Sequence, residues 1–374
     1  MCRSSVSANG ISDTISRGTT AYYVLCATPQ NEGSEHSVIK RIIYVGIDQL
    51  NRSYGVLKDA NPDEDGIVLV ESQRILKSRK WHIQRLWFMI SAARHFCQEL
   101  QHEGFQVLYL KSPTTLDGIR DASRHWKTNA VFAIEPHSHR LLAEFQDVQD
   151  LDITLQPSDF FLTRKQEFKN WAGSEKKLVM ENFYRWQRKR LDILMDKGEP
   201  LGGVWNFDKE NRLPPPKNHH YESYLSHHLD ALDLEVLAEI KTLKLDLWGD
   251  DPEGVWGTTR EAALNQLDFF LDHNFKEFGP YEDAMTKENW ALHHSLLSPY
   301  LNIGLLHAEE VLVAIKKRFL KGDIPIASCE GLIRQIIGWR EYINGVYWFF
   351  EEEYRHQNHL HRTKKLLPLF YDES

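Results

Sequence analysis

Apolar residues gather in short β-branched runs in the first part of the chain and at helical spacing in the second. The runs are Arg41–Asp48, Ile67–Glu71, Val107–Leu110, Ala130–Glu135 and Ile153–Gln156, and helical patterns, notably His82–Glu103 and Ser138–Asp147, separate most of them. This alternation predicts an α/β, doubly wound domain with a parallel sheet. Ligands of such sheets sit beyond the carboxyl ends of the strands, where Asp48, Gln49, Glu71 and Glu135 fall. No glycine fingerprint follows the first run, which disfavours a Rossmann dehydrogenase. Past Ser158 the strand signal fades, and Phe168–Trp171 and Leu178–Met195 read as helices rich in aromatic and basic residues. Gly198–His220, with Gly202-Gly203 and Pro214-Pro215-Pro216, reads as a linker. Beyond it, Leu229–Leu247, Arg260–Phe275, Leu292–Leu297, Ile303–Phe319 and Glu330–Phe350 all carry helical spacing. The expected organisation is a disordered or targeting tail over 1–38, an α/β domain over 39–160, interdomain helices and linker over 161–219, and a helical domain over 220–374.

Within the last helical pattern, residues 332–350 are almost entirely apolar yet include Arg334, Gln335, Arg340 and Glu341. At about 100° per residue, Ile333, Ile336, Ile337, Ile343 and Tyr347 make one broad face with Arg340 in its middle. An unpaired guanidinium buried there is too costly to persist. Arg340 must therefore meet an anion, either a protein carboxylate or a bound phosphate or cofactor. Gln335, Trp339 and Tyr342 form a neighbouring stripe, beside a row of Arg334, Gly338, Glu341 and Gly345 whose glycines permit close approach. Alone, this segment reads more readily as an internal Arg–Glu pair among core aromatics. Two others add polar groups: His293–Leu305 combines hydroxyls with a Pro-Tyr and a glycine, as a pocket wall does. Asn274–Met285 reads as a turn opening a helix, whose backbone N–H groups suit a phosphate.

Composition narrows the field. With 374 residues, 42% hydrophobic and 26% charged, the chain has globular usage and room for two cores. A net charge of −8 means that a nucleic acid would have to be met by a local basic patch. Arg185, Arg188, Lys189 and Arg190 offer one, and read equally well as a solvated helix face. Cys2, Cys26, Cys97 and Cys329 are too scattered for a disulfide framework or a CxxC metal site, so a reducing, cytoplasmic setting is expected. An organelle or the nucleus is the alternative if the Ser/Thr-rich tail is a targeting segment. No apolar run approaches the roughly 18 residues of a membrane span, so no membrane partner is expected. His219-His220, His227-His228, His356, His359 and His361 lie in polar sequence without nearby cysteines, and no metal site is expected from them. Cys329 is expected to be a buried structural thiol.

In this order, Asn274–Met285, His293–Leu305 and Ile333–Tyr342 resemble the flavin domain of the photolyase and cryptochrome superfamily. The last, Ile333-Arg334-Gln335-Ile336-Ile337-Gly338-Trp339-Arg340-Glu341-Tyr342, is most similar to the bacterial iron–sulfur branch, the deoxyribodipyrimidine photolyase-related proteins that repair (6-4) photoproducts. Asp48-Gln49-Leu50, Ser91–Phe96, Glu167–Ala172, Met180–Tyr184 and Trp205–Arg212 also resemble signatures of that branch, so the likeness runs from Ile39 to Tyr371.

The resemblance implies an all-α, FAD-binding domain after the α/β domain, and a monomer that repairs UV-damaged DNA by light-driven electron transfer from reduced flavin to a flipped-out lesion. It places Arg340 beside the isoalloxazine and Gln335 and Trp339 on the lesion side as catalytic residues. It places His294, Ser295, Leu297 and Ser298 along the cofactor and Tyr281 near its phosphates. It also implies a lumazine-type antenna near Asp48, Gln49, Glu71 and His82, with Ile47, where the family has glycine, expected to crowd the pigment. Relatives continue past a motif matched by Leu367–Tyr371 into a region that carries their cluster cysteines. The helical domain is thus expected to be incomplete and to hold no iron–sulfur cluster, and Asp372 stands where relatives have an electron-transfer tryptophan. A cryptochrome-like blue-light sensor without repair and an inactive fragment are the alternatives.

Overall fold

The computed structural model describes residues 22–24, 38–215, 221, 224–351, 353–367 and 370. Most of the 1–38 tail, the end of the linker with His219-His220, most of the Leu367–Tyr371 motif and Asp372 lie outside the described residues.

The first core strand, Arg41–Tyr44, is central, because Ile42 and Ile43 face opposite sides of the sheet and both are fully buried. It pairs in parallel with Asp65–Ser72 on one side and Ala130–Ile134 on the other. Gln106–Ser112 and Asp152–Gln156 extend the sheet in parallel, and Tyr22–Val24 adds an antiparallel strand against Gln106–Ser112. The chain winds outward through the first three core strands and then returns to the far side of Arg41–Tyr44. The switch in winding therefore lies between Arg41–Tyr44 and Ala130–Ile134. Ile42 packs with Ile119 and Phe145 from the helices Thr115–Trp126 and His139–Asp147. Ile43 packs on the other face with Trp87 and Phe96 of Ile83–His102. Each β-branched run contains a strand, but the first stops at Tyr44, and Gly46 O accepts Gln49 N–H at 2.9 Å in the turn that follows. Thr115–Trp126 turns Leu116, Ile119, Ala122 and Trp126 toward the sheet core, and Thr114 caps it by accepting Asp117 N–H.

The rest is mainly helical. Lys165–Ser174 and Met180–Leu191 precede the linker, and Ala231–Thr242, Arg260–Phe269, Ala308–Phe319 and Ile326–Ile333 follow it. Two helices contain a wider, i→i+5 turn: Phe270–Asn274, which leads into Phe275–Phe278, and Arg334–Arg340, which leads into Glu341–Phe349. Two expectations are corrected here. Asn274–Met285 closes a helix instead of opening one, because the chain turns after Phe278 and the next helix begins at Ser298. Leu292–Leu297 is irregular, with Leu292 and Leu296 at positive φ.

The sheet helix and the helical region share one core, in which Trp87 and Phe96 join Val236, Phe270, Tyr300 and Ile337. Gly304, at φ 87°, lets the helical region come against the loop after the first core strand; a Cβ there would lie 2.9 Å from Leu50 N. Leu50 N–H donates to Ile303 O at 2.8 Å, fixing the two regions together. Among the described residues no helix is long and apolar enough to cross a membrane.

Candidate functional site

The wide turn Arg334–Arg340 decides which side chains face inward. Such turns rotate the following residues relative to a regular helix and recur at functional sites. Arg334 is buried and points toward Glu330, Asp208 and Glu282, with N–O separations of 3.3, 3.3 and 3.6 Å. Glu330 also accepts Phe207 N–H at 3.0 Å, and Glu282 accepts from Asn211 at 2.8 Å and from Gln335. Burial pushes the Glu282 and Glu330 carboxyls above their ordinary range, against the pull of Arg334. Burial works to lower the Arg334 pKa, but Glu330, Glu282 and Asp208 outweigh it and the net shift is upward.

Arg334, Asp208 and Glu282 line a cavity of about 570 Å³, within the ~300–1,000 Å³ of small-molecule sites. His294, Ser295, Leu297 and Ser298 form one wall, and Gln335 and Trp339 the other. Six of the residues singled out from the sequence thus meet in one place. Burial holds His294 below the ordinary histidine pKa, so its ring is neutral near pH 7. Trp339 stands at the edge with 43% of its surface exposed, and its ring lies 6.4 Å from Tyr342. Leu297 is buried.

Other expected residues lie elsewhere. Tyr281 packs with Tyr221, Ala284 and Leu292, its ring 5.7 Å from His293, and is not among the cavity's lining residues. Arg340 is not among them either. Its guanidinium donates to Glu341 Oε1 at 2.8 Å and Phe160 O at 3.0 Å and lies 4.0 Å over the Phe161 ring. Glu341 is fully buried and also accepts Thr163 N–H at 2.8 Å. The anion that Arg340 requires is therefore a neighbouring carboxylate of the protein. Gly338 and Gly345 admit Met180 and Phe168 from adjacent helices, so what approaches them is protein. Ile343, expected on the buried face, is 54% exposed because the wide turn shifts it outward.

A second cavity of about 570 Å³ lies by the carboxyl end of the first core strand, lined by Asp48, His82, Phe88, Met89, Trp256 and Ser298 among others. Ser298 lines both cavities. His82 caps the helix Ile83–His102 by accepting Gln84 N–H, and its ring lies 4.5 Å from Trp248. Gln49 and Glu71 do not line this cavity. Gln49 is buried and accepts Gly46 N–H at 3.2 Å; Glu71 accepts from Tyr109 OH at 2.7 Å and Arg94 at 3.4 Å. Ile47 packs against the main core and is not among the residues lining this cavity.

The basic patch is corrected in part. Arg188 is fully buried and donates to the carbonyls of Ile193, Trp205 and Leu194, and Arg190 pairs with Glu167. Arg185 and Lys189 remain exposed, Arg185 in an ion pair with Glu181. Burial pushes the Cys329 thiol up to about 12, which suits an inert packing residue. His95, Asp230 and Asp233 bring three potential ligand atoms within 4.8 Å. The two aspartates there cap a helix reciprocally, and Asp233 also accepts from Thr258. Asp208, Glu282 and Glu330 were not singled out from the sequence; only the i,i+4 spacing of Glu330 and Arg334 carried a signal.

The sequence model of the deoxyribodipyrimidine photo-lyase-related proteins matches residues 43–256. The chain is 32% identical over 342 residues to the (6-4) photolyase of Agrobacterium fabrum, which covers 89% of this chain and 67% of that protein. Its fold is similar to the bacterial class III photolyase of Agrobacterium tumefaciens, with TM-score 0.56 at 16% identity over 86% of this chain and 61% of that one. It is also similar to the Synechocystis cryptochrome, with TM-score 0.53 at 14% identity over 86% and 63% of the two chains. The chain thus spans less than two thirds of both solved structures and about two thirds of the (6-4) photolyase. On sequence over most of its length and on fold, the chain belongs to the family of deoxyribodipyrimidine photo-lyase-related proteins.

Proposed function

We propose that this chain is a flavoprotein that repairs pyrimidine (6-4) photoproducts in UV-damaged DNA, with FAD held in the Arg334 cavity. The observation that carries this reading is the convergence of His294, Ser295, Leu297, Ser298, Gln335 and Trp339 on one cavity with a buried guanidinium at its floor. The donor set suits the ring and ribityl end of a flavin. The hydroxyls of Ser295 and Ser298 and the neutral His294 offer hydrogen bonds, and the Arg334 guanidinium offers N–H donors. The carboxylates of Glu282 and Asp208 suit N–H and O–H donors and repel phosphate, which puts the diphosphate away from Tyr281. When bound, FAD supplies the light-driven electron that no side chain can.

The protein's own part is positional. Arg334 stands among three carboxylates and donates to Asp208 at 3.3 Å, so its guanidinium is held in place as a donor toward the cavity. Gln335 is fixed by Glu282. The exposed face of Trp339 gives an unstacked base a surface to stack on, and aromatic stacking contributes ~1–3 kcal/mol per base. Arg340, Gln49, Glu71 and Tyr281 act in this reading through packing and hydrogen bonds to their neighbours. A lumazine-type antenna is proposed for the second cavity, against Asp48 and His82, and no iron–sulfur cluster is assigned to the residues present. We further propose the domain division 39–160, 161–219 and 220–374, a monomer, and a reducing, cytoplasmic setting suited to the buried cysteines Cys97 and Cys329.

Reconstitution of the purified chain with FAD, reduction, and blue-light illumination with an oligonucleotide bearing one (6-4) lesion tests the reading. Chromatography should show lesion loss in the light and none in the dark. Failure to take up FAD would sink it. Uptake and photoreduction without lesion loss would point to a sensor.

A further inference from the structure

Beyond the carboxyl ends of Arg41–Tyr44 and Ala130–Ile134, where the sheet reverses its winding, Asp48 forms a relay with His137 and Ser158, two side chains that the flavin reading leaves unused. Asp48 Oδ2 lies 3.1 Å from His137 Nδ1, and His137 Nε2 lies 2.7 Å from Ser158 Oγ. The proton positions follow from the donor inventory. An ionised carboxylate can only accept, so Nδ1 carries the hydrogen. In the neutral ring Nε2 then presents a lone pair, and the Ser158 hydroxyl is the donor facing it. Of the two lone pairs on Ser158 Oγ, one accepts Phe160 N–H at 3.2 Å. The other remains for bond formation.

The histidine is held firmly, while the Asp48 side chain is 41% exposed. The His137 side chain is 15% exposed, and the Phe161 and Phe160 rings stand against it at 5.3 and 6.1 Å. The loop carrying the serine is tied at three points. Asp159 Oδ2 accepts Gly55 N–H at 3.0 Å, Asp159 O accepts from His307 at 2.8 Å, and Phe160 O accepts from Arg340 at 3.0 Å. Ser158 itself is only half-buried. A hydroxyl, a base within hydrogen-bond reach and a carboxylate orienting the base are the arrangement that activates serine, recognised by geometry and not by sequence order.

We propose that Ser158 is an activated nucleophile, with His137 as its general base and Asp48 as the positioning carboxylate, which takes acyl groups from small carboxylic esters. As Ser158 Oγ bonds to the carbonyl carbon, its proton passes to His137 Nε2. The bond from that carbon to the leaving oxygen breaks, and the proton passes from His137 to the departing alkoxide or aryloxide, leaving acyl-serine and the alcohol or phenol. A water molecule, deprotonated by the same imidazole, then releases the acid and restores the serine. Nothing in this proposal depends on flavin.

The full chain is treated with a fluorophosphonate probe, which forms a bond to serine with loss of fluoride, and the modified peptide is mapped by mass spectrometry; p-nitrophenyl acetate hydrolysis is followed in parallel. Labelling at Ser158 is expected. It should slow about a hundred-fold in His137→Gln, as loss of a general base does, fall in Asp48→Asn and vanish in Ser158→Ala. Ser158→Ala should keep the melting temperature and FAD uptake of the wild-type chain. No labelling of the folded chain, labelling at another serine, or a rate unchanged in His137→Gln would overturn the proposal.

Discussion

Replacing Arg334 by Met separates the two buried arginines that the sequence placed in one apolar helix. In the native protein the Arg334 side chain is 9% exposed and faces Glu330 at 0%, Glu282 at 12% and Asp208 at 33%. Methionine keeps much of the aliphatic stem but leaves two buried carboxylates without a counter-ion. Breaking a buried pair in this way costs about 3–5 kcal/mol. The cost should depend on pH, and the sign follows from the shifts. Glu282 and Glu330 already have folded pKa values above their ordinary 4.5, so the fold prefers them protonated. Stability from such groups is present below 4.5 and is lost as pH rises through the folded pKa. Removal of Arg334 raises those values further, so the loss in Arg334→Met should be largest at pH 7 and shrink toward pH 5. Urea denaturation followed by tryptophan fluorescence at pH 5, 6 and 7 measures it, and FAD titration of the same samples measures binding. Arg340→Met is the control. It strands the fully buried Glu341 and should cost similar stability, yet change FAD affinity less than about two-fold, against about ten-fold or more for Arg334→Met, ten-fold being 1.4 kcal/mol. A loss below about 1 kcal/mol at pH 7 for Arg334→Met would refute the buried-carboxylate reasoning. Loss of FAD in Arg340→Met alone would refute the choice of cavity.

A methyl group at Gly345 would overlap the Phe168 ring, whereas one at Gly338 would lie 3.2 Å from the flexible Met180 Sδ. Overpacking of ~1–3 kcal/mol exceeds the helix gain of up to ~1 kcal/mol, so Gly345→Ala should lower the melting temperature and Gly338→Ala should change it little. Equal melting temperatures would contradict this packing. Trp339→Ala, at an exposed position, should leave stability within ~0.5 kcal/mol. It should weaken binding to lesion-bearing DNA by ~1–3 kcal/mol in fluorescence anisotropy, and unaltered binding would remove Trp339 from the lesion face. Glu282→Gln removes a carboxyl whose folded pKa is raised by burial. It should flatten the fall of stability with pH above 4.5, and an unchanged slope between pH 5 and 7 would show that Glu282 is not the group responsible.

The strand runs were legible because the sheet is covered on both faces, which makes Ile42-Ile43 and Ile67–Leu69 continuously apolar. Thr115–Trp126 was harder to see, since it buries Ile119 and Ala122 among charged residues and its start rests on one Thr114 cap. The cavity wall was legible as hydroxyls in His293–Leu305, although the chain there is irregular and its inward aim comes from packing. The roles of the two arginines were not legible. A regular 100° wheel places Arg340 centrally, but Arg334–Arg340 forms a wider turn, and tertiary contacts set where the following residues point. Thr163 N–H and Phe160 O draw Glu341 and Arg340 to one side of the helix. Asp208 and Glu282, from loops more than fifty residues away in sequence, hold Arg334 on the other. The requirement that a buried guanidinium meet an anion applies to both positions and is met at both. At 340 a single carboxylate beside a backbone carbonyl satisfies it and closes the site. At 334 the charge is shared among three carboxylates at 3.3–3.6 Å and the side chain opens on a cavity, so the position less central to the helical pattern is the one that lines a space of ligand size.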